Sequence, residues 1–227
     1  MTATIINAIA VILGTCAGLL LKKKISDSFR SIVMTSSGVT TLVLGLQMAF
    51  ATPSAVAMLF ALLAGGFTGF ALRIEDRVLS LGTLLGGKDG GSDFAQGFLN
   101  ASLLFCTGSM SIVGSIEAGT SGDYELILIK SIMDGFMAVV FAANYGKGVG
   151  ASVLTIIVYQ GFFTLLGGWI EPVLGDSGIA SMSAAGGCLL IFLSFGLLGL
   201  KQIQTGNFLP ALIFAPVCQY LYSLLGL

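Results

Sequence analysis

The chain has 227 residues, of which 56% are hydrophobic and 9% are charged, with a formal net charge of −1 and no histidine. This composition excludes an ordinary soluble domain and indicates a protein that lies in a lipid bilayer. The balanced charge gives no support for nucleic-acid binding, and the absence of histidine removes imidazole-based zinc, haem and general-base chemistry, so we expect no cofactor and no metal site.

Apolar stretches predict an all-α membrane protein with about eight transmembrane helices, because each span needs about 20 apolar residues. Together they form a single polytopic membrane domain over residues 1–227. The first stretch precedes its lysines, unlike a signal peptide, so we expect it to remain as the first span. The predicted spans are residues 4–21, 33–51, 54–72, 94–116, 124–144, 150–170, 179–200 and 208–226.

The cationic residues predict the orientation of these spans. Nine of the ten Lys and Arg residues lie in the odd-numbered connections, and the even-numbered connections contain none. Since cytoplasmic loops carry the excess of Lys and Arg, this bias predicts that both termini lie outside. The nine residues are Lys22, Lys23, Lys24 and Arg30; Arg73, Arg77 and Lys88; Lys147; and Lys201.

Small residues recur in two further patterns. The pairs Gly14 with Gly18 and Gly65 with Gly69 have the GxxxG spacing of helix-packing surfaces. The segments 34–38 and 182–186 resemble each other near the starts of spans two and seven, which run in opposite directions. This similarity suggests an inverted repeat of spans 1–3 and 6–8 around central spans 4 and 5, although glycine-rich helices also match by chance.

Span four carries a polar stripe. Asn100, Thr107 and Ser111 are spaced by seven and four residues, which places them on one helical face. Such a stripe can line a solute path, or it can let two helices pack and share hydrogen bonds. The amide of Asn100 needs several partners in hydrocarbon, so it is harder to explain by packing alone.

Glycines punctuate the end of span four, which is consistent with an unwound segment that lines a cavity or with an ordinary outside loop. Glu117 and Asp123 lie in this region and are candidates for the solute pathway. We favour capping of span five as the role of Asp123, and both alternatives stay open for Glu117.

Span five contains the most informative residues of the sequence. Lys130 and Asp134 lie about 9 and 15 Å from its outer end, at a spacing that lets them pair, and Ser131 begins a neighbouring face of small residues. Lys130 could instead extend to the outer surface, leaving Asp134 paired elsewhere. Asn7 in span one and Gln47 in span two are lesser candidates, and interfacial hydrogen bonding is the favoured interpretation for both. Gln160 lies deeper, in span six, where it could contact the cavity.

A charge at the centre of a bilayer costs about 2.5 to 3.5 kcal/mol on insertion scales, so intramembrane charges mark functional sites by default. The pair could bind a coupling ion or relay a proton in a transporter or channel for a small ion or polar solute. The alternative is a scaffold or partner-binding subunit, possible as a homo-oligomer, in which the pair fixes helix register. We expect no enzymatic activity, because no serine-lysine or paired-carboxylate motif is recognisable.

Three parts of the chain are particular enough to compare with a known family: Ile6-Asn7-Ala8; Asn207-Phe208-Leu209-Pro210-Ala211; and the central run Phe105-Cys106-Thr107-Gly108, Ile112, Gly114, Gly119, Gly122-Asp123, Lys130-Ser131 and Asp134. They resemble the bacterial membrane-protein family known as domain of unknown function 554, of the YdfK/YqgA type. The resemblance covers nearly the whole chain. It implies an integral protein of the bacterial cytoplasmic membrane with no established activity, in a family whose members are sometimes labelled as transport proteins.

Overall fold

A computed structural model describes residues 1–22, 27–86, 92–106 and 109–225, and within these ranges the regular structure is entirely helical. A short 3₁₀ turn, Thr205–Phe208, precedes the last helix. The α-helices are α1 Thr2–Lys22, α2 Asp27–Phe50, α3 Ala55–Leu72, α4 Ile74–Gly86, α5 Ser92–Cys106, α6 Ser109–Thr120, α7 Glu125–Tyr145, α8 Gly148–Ala151, α9 Val153–Leu197 and α10 Ala211–Leu224.

The described part of the chain contains five helical segments that are long and apolar enough to cross a membrane by themselves. The count rises to six when α5 and α6, bent by 60° at the break between them, are taken as one span. The all-helical prediction is therefore confirmed, whereas length and apolarity alone support fewer spans than the eight predicted.

Helix α9 contains an internal break. Its 45 residues would extend for about 68 Å as one straight helix, roughly twice the thickness of the hydrocarbon core. Gly175 interrupts it with φ 58° and ψ 176°, a conformation open to glycine because it has no Cβ. The two halves, 153–174 and 176–197, correspond to predicted spans six and seven.

Glycines allow the helices to approach closely. A Cβ at Gly14 would overlap the carbonyl oxygen of Gly135, so α1 and α7 are in backbone contact. A Cβ at Gly65 would overlap the backbone of Ala211, which joins α3 to α10. The predicted packing role of both GxxxG pairs is thus confirmed.

The remaining large contacts involve the two halves of α9. The first half packs on α6, where Gly119 meets the backbone of Thr164. The second half packs on α2, where Gly187 meets Gly45. Helix α5 is buried at almost every position from Gly97 to Cys106, so it lies at the centre of the molecule.

Candidate functional site

Lys130 and Asp134 form an ion pair on α7. The Lys130 Nζ to Asp134 Oδ2 distance is 2.5 Å, and the two residues are only 5% and 6% exposed. The predicted i, i+4 pairing is therefore observed, and neither group faces bulk solvent. Because α7 presents this face to the protein interior, the charges are removed from lipid as well as from water.

Asn7 on α1 completes the surroundings of the carboxylate. Its Nδ2 donates a hydrogen bond of 3.0 Å to Asp134 Oδ2, the same oxygen that Lys130 contacts. Asn7 is fully buried, so the expectation of interfacial hydrogen bonding was wrong for this residue. Its Oδ1 has no hydrogen-bond partner among the described residues.

A second amide lies at the break between α5 and α6. The helix stops after Cys106, and Ser111 Oγ donates to the Phe105 carbonyl oxygen at 2.7 Å, which satisfies a backbone acceptor near the break. Gln160 of α9 donates from Nε2 to Ser111 Oγ at 3.5 Å. Ser111 and Gln160 are both fully buried, and Gln160 Oε1 has no partner in the described part of the chain.

Asn7 and Gln160 thus have parallel roles. Each is a fully buried amide on a helix that packs against a central span, and each donates to a polar side chain of that span. The carbonyl oxygen of each has no hydrogen-bond partner among the residues that the structure describes. Unpaired buried amide oxygens are uncommon in folded proteins, and each needs an explanation.

Further polar atoms surround the break in the helix. The Tyr159 hydroxyl and Ser115 Oγ are buried without a hydrogen-bond partner among the described residues. Cys106 lies close enough to interact electrostatically with Lys130, Asp134 and Tyr159. The ion pair and the break are therefore neighbours. We call this group the central polar cluster, comprising Asn7, Cys106, Ser111, Ser115, Lys130, Asp134, Tyr159 and Gln160.

The other predicted pathway residues lie in different places. Ser131 is buried, but its hydroxyl donates to the Ile127 carbonyl oxygen of its own helix at 2.6 Å. Asp123 is exposed, and its Oδ1 accepts from the Glu125 amide at 2.9 Å, which satisfies a first-turn amide of α7 although the N-cap residue is Tyr124 and not Asp123. Glu117 is partly buried near the end of α6, and Thr107 lies outside the described residues.

Asn100 lines a cavity of about 430 Å³. The cavity lies at the end of the bundle that carries Arg73, Arg77, Lys147 and Lys201, which we call the basic end, because residues next to these four in sequence form its wall. Its polar lining residues are Glu75, Gln96, Asn100, Gln202, Gln204 and Thr205. Neither Lys130 nor Asp134 lines it.

Glu75 is the acidic residue of this cavity. It is 8% exposed at the start of α4, outside the apolar spans. Burial raises the pKa of the Glu75 carboxyl above its ordinary value, while the hydrogen bond from the Gly206 amide opposes this shift. Its position could not be foreseen from the sequence, where it is one of several charges in a connection.

Comparison with known proteins places the chain in a family. The profile described as "Protein of unknown function (DUF554)" matches residues 2–220. The chain belongs to the DUF554 family. The expected membership is confirmed, and the match covers both the central polar cluster and the cavity.

Two relatives align with this DUF554 protein over at least 92% of both chains. "Uncharacterized membrane protein YdfK" of Bacillus subtilis (strain 168) is 31% identical over 231 residues, covering 100% of this chain and 99% of the relative. "Uncharacterized protein YqgA" of Escherichia coli (strain K12) is 29% identical over 217 residues, covering 92% of each chain. No solved structure matches the protein. The membrane placement of this DUF554 protein agrees with the name of the first relative and with its apolar helices.

Proposed function

We propose that this DUF554 protein is a transporter that moves a small ion or polar solute across the bacterial cytoplasmic membrane, and that it is not an enzyme. The observation that carries this proposal is the central polar cluster. It places an ion pair, two amides and unpaired polar atoms in the interior of an apolar helical bundle. Such groups are expensive in a membrane and typically belong to ion or solute pathways.

We further propose that the chain crosses the membrane eight times. This count adds α2 to the five helical segments, treats α5 with α6 as one bent span and divides α9 at Gly175. The 60° bend between α5 and α6 supports a transport role, because discontinuous membrane helices typically form the solute sites of transporters. The positive-inside bias then places the basic end in the cytoplasm and both termini outside.

The contacts between helices support an inverted repeat. The proposed repeat relates spans 1–3 to spans 6–8, and span 4 to span 5. Under this exchange, the α1–α7 contact corresponds to the contact between the first half of α9 and α6. The α2–α9 and α3–α10 contacts map onto themselves. The same exchange relates the helices joined by the Asn7–Asp134 hydrogen bond, α1 and α7, to those joined by the Gln160–Ser111 hydrogen bond, α9 and α6, although the alignment of 34–38 with 182–186 places Asn7 opposite Thr155. In secondary transporters with inverted repeats, substrate sites lie at the repeat interface near the midplane.

The cavity supports an arrangement that is open on one side. It reaches Asn100 from the basic end, and Cys106 in the cluster lies six positions further along α5, about 9 Å of helix. Buried Leu103, Leu104 and Phe105 fill this interval. In this proposal, solute enters the cavity, and a shift of α5 at its break connects the cavity to the cluster.

Uptake into proteoliposomes tests the proposal for many solutes at once. Vesicles containing the protein are incubated with a ¹³C-labelled bacterial metabolite extract and inorganic salts, and the retained solutes are identified by mass spectrometry. We expect at least one solute to accumulate above the level in protein-free vesicles. Asp134→Asn should reduce its uptake at least tenfold, because the carboxylate can no longer exchange Lys130 for another cation or a proton.

Glu125→Gln is the matched control, since it removes an exposed carboxylate from the same helix. It should transport like the unmodified protein. Equal uptake by Asp134→Asn and by the unmodified protein, both folded and at equal density in the vesicles, would contradict the assignment. Accumulation of no solute by the unmodified protein would contradict transport itself.

One observation favours the second candidate function, a membrane scaffold or partner-binding subunit. The ion pair is closed by Asn7 and does not line the cavity, as expected of a contact that fixes the register of α1 against α7. In that case uptake is absent, and the pair can be replaced by apolar residues without loss of the fold.

A further inference from the structure

The cavity at the basic end has the size and lining of a ligand site. Its volume of about 430 Å³ falls in the usual range for pockets that bind small molecules, roughly 300–1,000 Å³. One part of its wall consists of amides and a hydroxyl from α5 and the segment before α10, and the other part consists of apolar and aromatic side chains. Such a surface can enclose a solute and orient it.

The described part of the cavity wall carries one ionisable side chain with a full charge. Among the lining residues that the structure describes, Glu75 is the only Asp, Glu, Lys or Arg. Arg73 and Arg77 flank Glu75 in sequence but are exposed and do not line the cavity. Within the described ranges, Glu75 has no ion-pair partner. A buried carboxylate that no described cation neutralises is costly, so it favours a cationic ligand.

The fold fixes the carboxylate in place. The Gly206 amide donates to Glu75 Oε2 at 2.8 Å, and the Glu75 amide donates to Asn207 Oδ1 at 3.0 Å. Asn207 Nδ2 in turn donates to Gln204 Oε1 at 3.2 Å. The 3₁₀ turn therefore holds Glu75 and orients the lining amide of Gln204 through the same asparagine.

The backbone that leads from α3 into Glu75 is also held in place. Arg73 is the C-cap residue of α3, and it has φ 50° and ψ 50°, a left-handed conformation in which its amide donates to the Gly69 and Phe70 carbonyl oxygens. Gly69 lies against the carbonyl oxygen of Asn207 so closely that a Cβ would overlap it. The helix cap and the close contact therefore fix the backbone that leads into Glu75.

We infer that this cavity is a binding site for a small organic cation that carries a protonated amine. Glu75 would bind the ammonium group, and Gln96, Asn100 and Gln204 would hydrogen-bond the remaining polar groups of the ligand. Tyr145 and Phe192 on the wall provide aromatic faces, which attract ammonium groups. The cavity is too large for a bare metal ion to contact all of these groups, which favours an organic ligand.

This site is separate from the central polar cluster, so its occupancy does not depend on the proposed transport role. Binding is measured by isothermal titration calorimetry on the purified full chain in detergent. The probes are putrescine, agmatine and ethanolamine, with succinate as an anion of similar size. We expect at least one amine to bind, and succinate to bind at least tenfold more weakly than that amine.

Two neighbouring carboxylates provide the matched variants. Glu75→Gln removes the charge but keeps an acceptor for the Gly206 amide, and it should weaken amine binding at least tenfold. Asp76→Asn removes an exposed charge next to it and should change the affinity less than twofold. Gly196→Leu places a side chain in the cavity and should also weaken amine binding. It tests the site independently if Glu75→Gln does not fold.

The inference is overturned if no amine binds better than succinate, or if the folded Glu75→Gln and Gly196→Leu variants bind the amine as the unmodified protein does. Asp134→Asn separates the two proposals. It should retain amine binding, because Asp134 does not line the cavity. Lost uptake with retained binding therefore supports both proposals, whereas amine binding without uptake by the unmodified protein contradicts only the transport proposal.

Discussion

At the scale of single residues, the ion pair raises the question of what stabilises a buried carboxylate in an apolar bundle. The Oδ2 atom of Asp134 forms an ion pair with Lys130 and also accepts a hydrogen bond from Asn7. Removal of one partner would leave the other charge buried and uncompensated, whereas removal of both leaves only a packing problem. The two cases can be separated by mutation.

A double-mutant cycle gives the first prediction at this scale. Lys130→Met and Asp134→Leu should each lower the free energy of unfolding by about 3–5 kcal/mol, while the double variant should regain most of that loss. Unfolding is followed by circular dichroism in mixed detergent micelles. Two small and additive losses would show that the charges do not depend on each other for stability.

The double variant can regain its stability and still fail to transport. A double variant that is stable but inactive indicates that the pair serves transport, because a structural pair would be dispensable once its packing is restored. The comparison uses uptake into proteoliposomes, with protein density in the vesicles as the control.

The sequence predicts the Lys130–Asp134 pair, but it does not predict Asn7 as the hydrogen-bond partner of Asp134. The i, i+4 spacing of Lys130 and Asp134 is local, so it can be recognised without a fold. Asn7 lies far from Asp134 in the chain, and its position near the end of a span favoured the interface. The available signal is that Asn7 shares a helical face with Gly14 and Gly18, the residues that bring α1 against α7.

At the scale of helices, hydropathy predicts that a helix is present better than it predicts where the helix begins and ends. The observed α1, α3 and α7 agree with predicted spans within two residues at each end. Predicted spans six and seven were separated by a loop at 171–178, but helix continues through Pro172 as far as the break at Gly175. Polar residues there suggested a loop, and local hydropathy cannot distinguish a loop from a helix end that extends beyond the bilayer.

The break between α5 and α6 and the cavity show the same limit. Glycines in the sequence left a broken span four and an outside loop as alternatives, and the structure has a bend of 60° between α5 and α6. Its depth beside Lys130 depends on contacts between α5, α7 and α9, which are distant in sequence. Glu75 reaches the cavity because Asn207 and Gly206 hold it from the other end of the chain, so no local pattern identifies it.

Close packing of α1 on α7 gives the second prediction. Gly14→Ala should lower the free energy of unfolding by about 1–3 kcal/mol, since its Cβ would overlap the Gly135 carbonyl oxygen and force the helices apart. Gly168→Ala is the control, because its nearest neighbour, a Thr120 methyl, is 3.6 Å from the new Cβ. The control should be neutral or stabilising by up to about 1 kcal/mol.

Both variants are measured by thermal unfolding in the same detergent. A Gly14→Ala variant as stable as the Gly168→Ala control would contradict the close contact. A further consequence concerns the site, because separation of α1 from α7 moves Asn7 away from Asp134, so uptake should fall together with stability.

At the scale of the whole molecule, the eight-span arrangement and the orientation can be tested together. The proposal places Ser121 and Asp176 outside, and Ser80 and Lys201 in the cytoplasm; all four are exposed. Single cysteines at these positions are introduced into a chain whose own cysteines, Cys16, Cys106, Cys188 and Cys218, are replaced by alanine. Each variant is then labelled in cells with a maleimide that cannot cross membranes.

We expect labelling of Ser121→Cys and Asp176→Cys in intact cells, and labelling of Ser80→Cys and Lys201→Cys only after the membrane is permeabilised. The decisive position is Asp176, directly after the break in α9. Its labelling from outside, together with protection of Lys201→Cys, requires the second half of α9 to cross the membrane by itself. The reverse pattern at all four positions would contradict the orientation, and equal access at Asp176→Cys and Lys201→Cys would contradict two spans within α9.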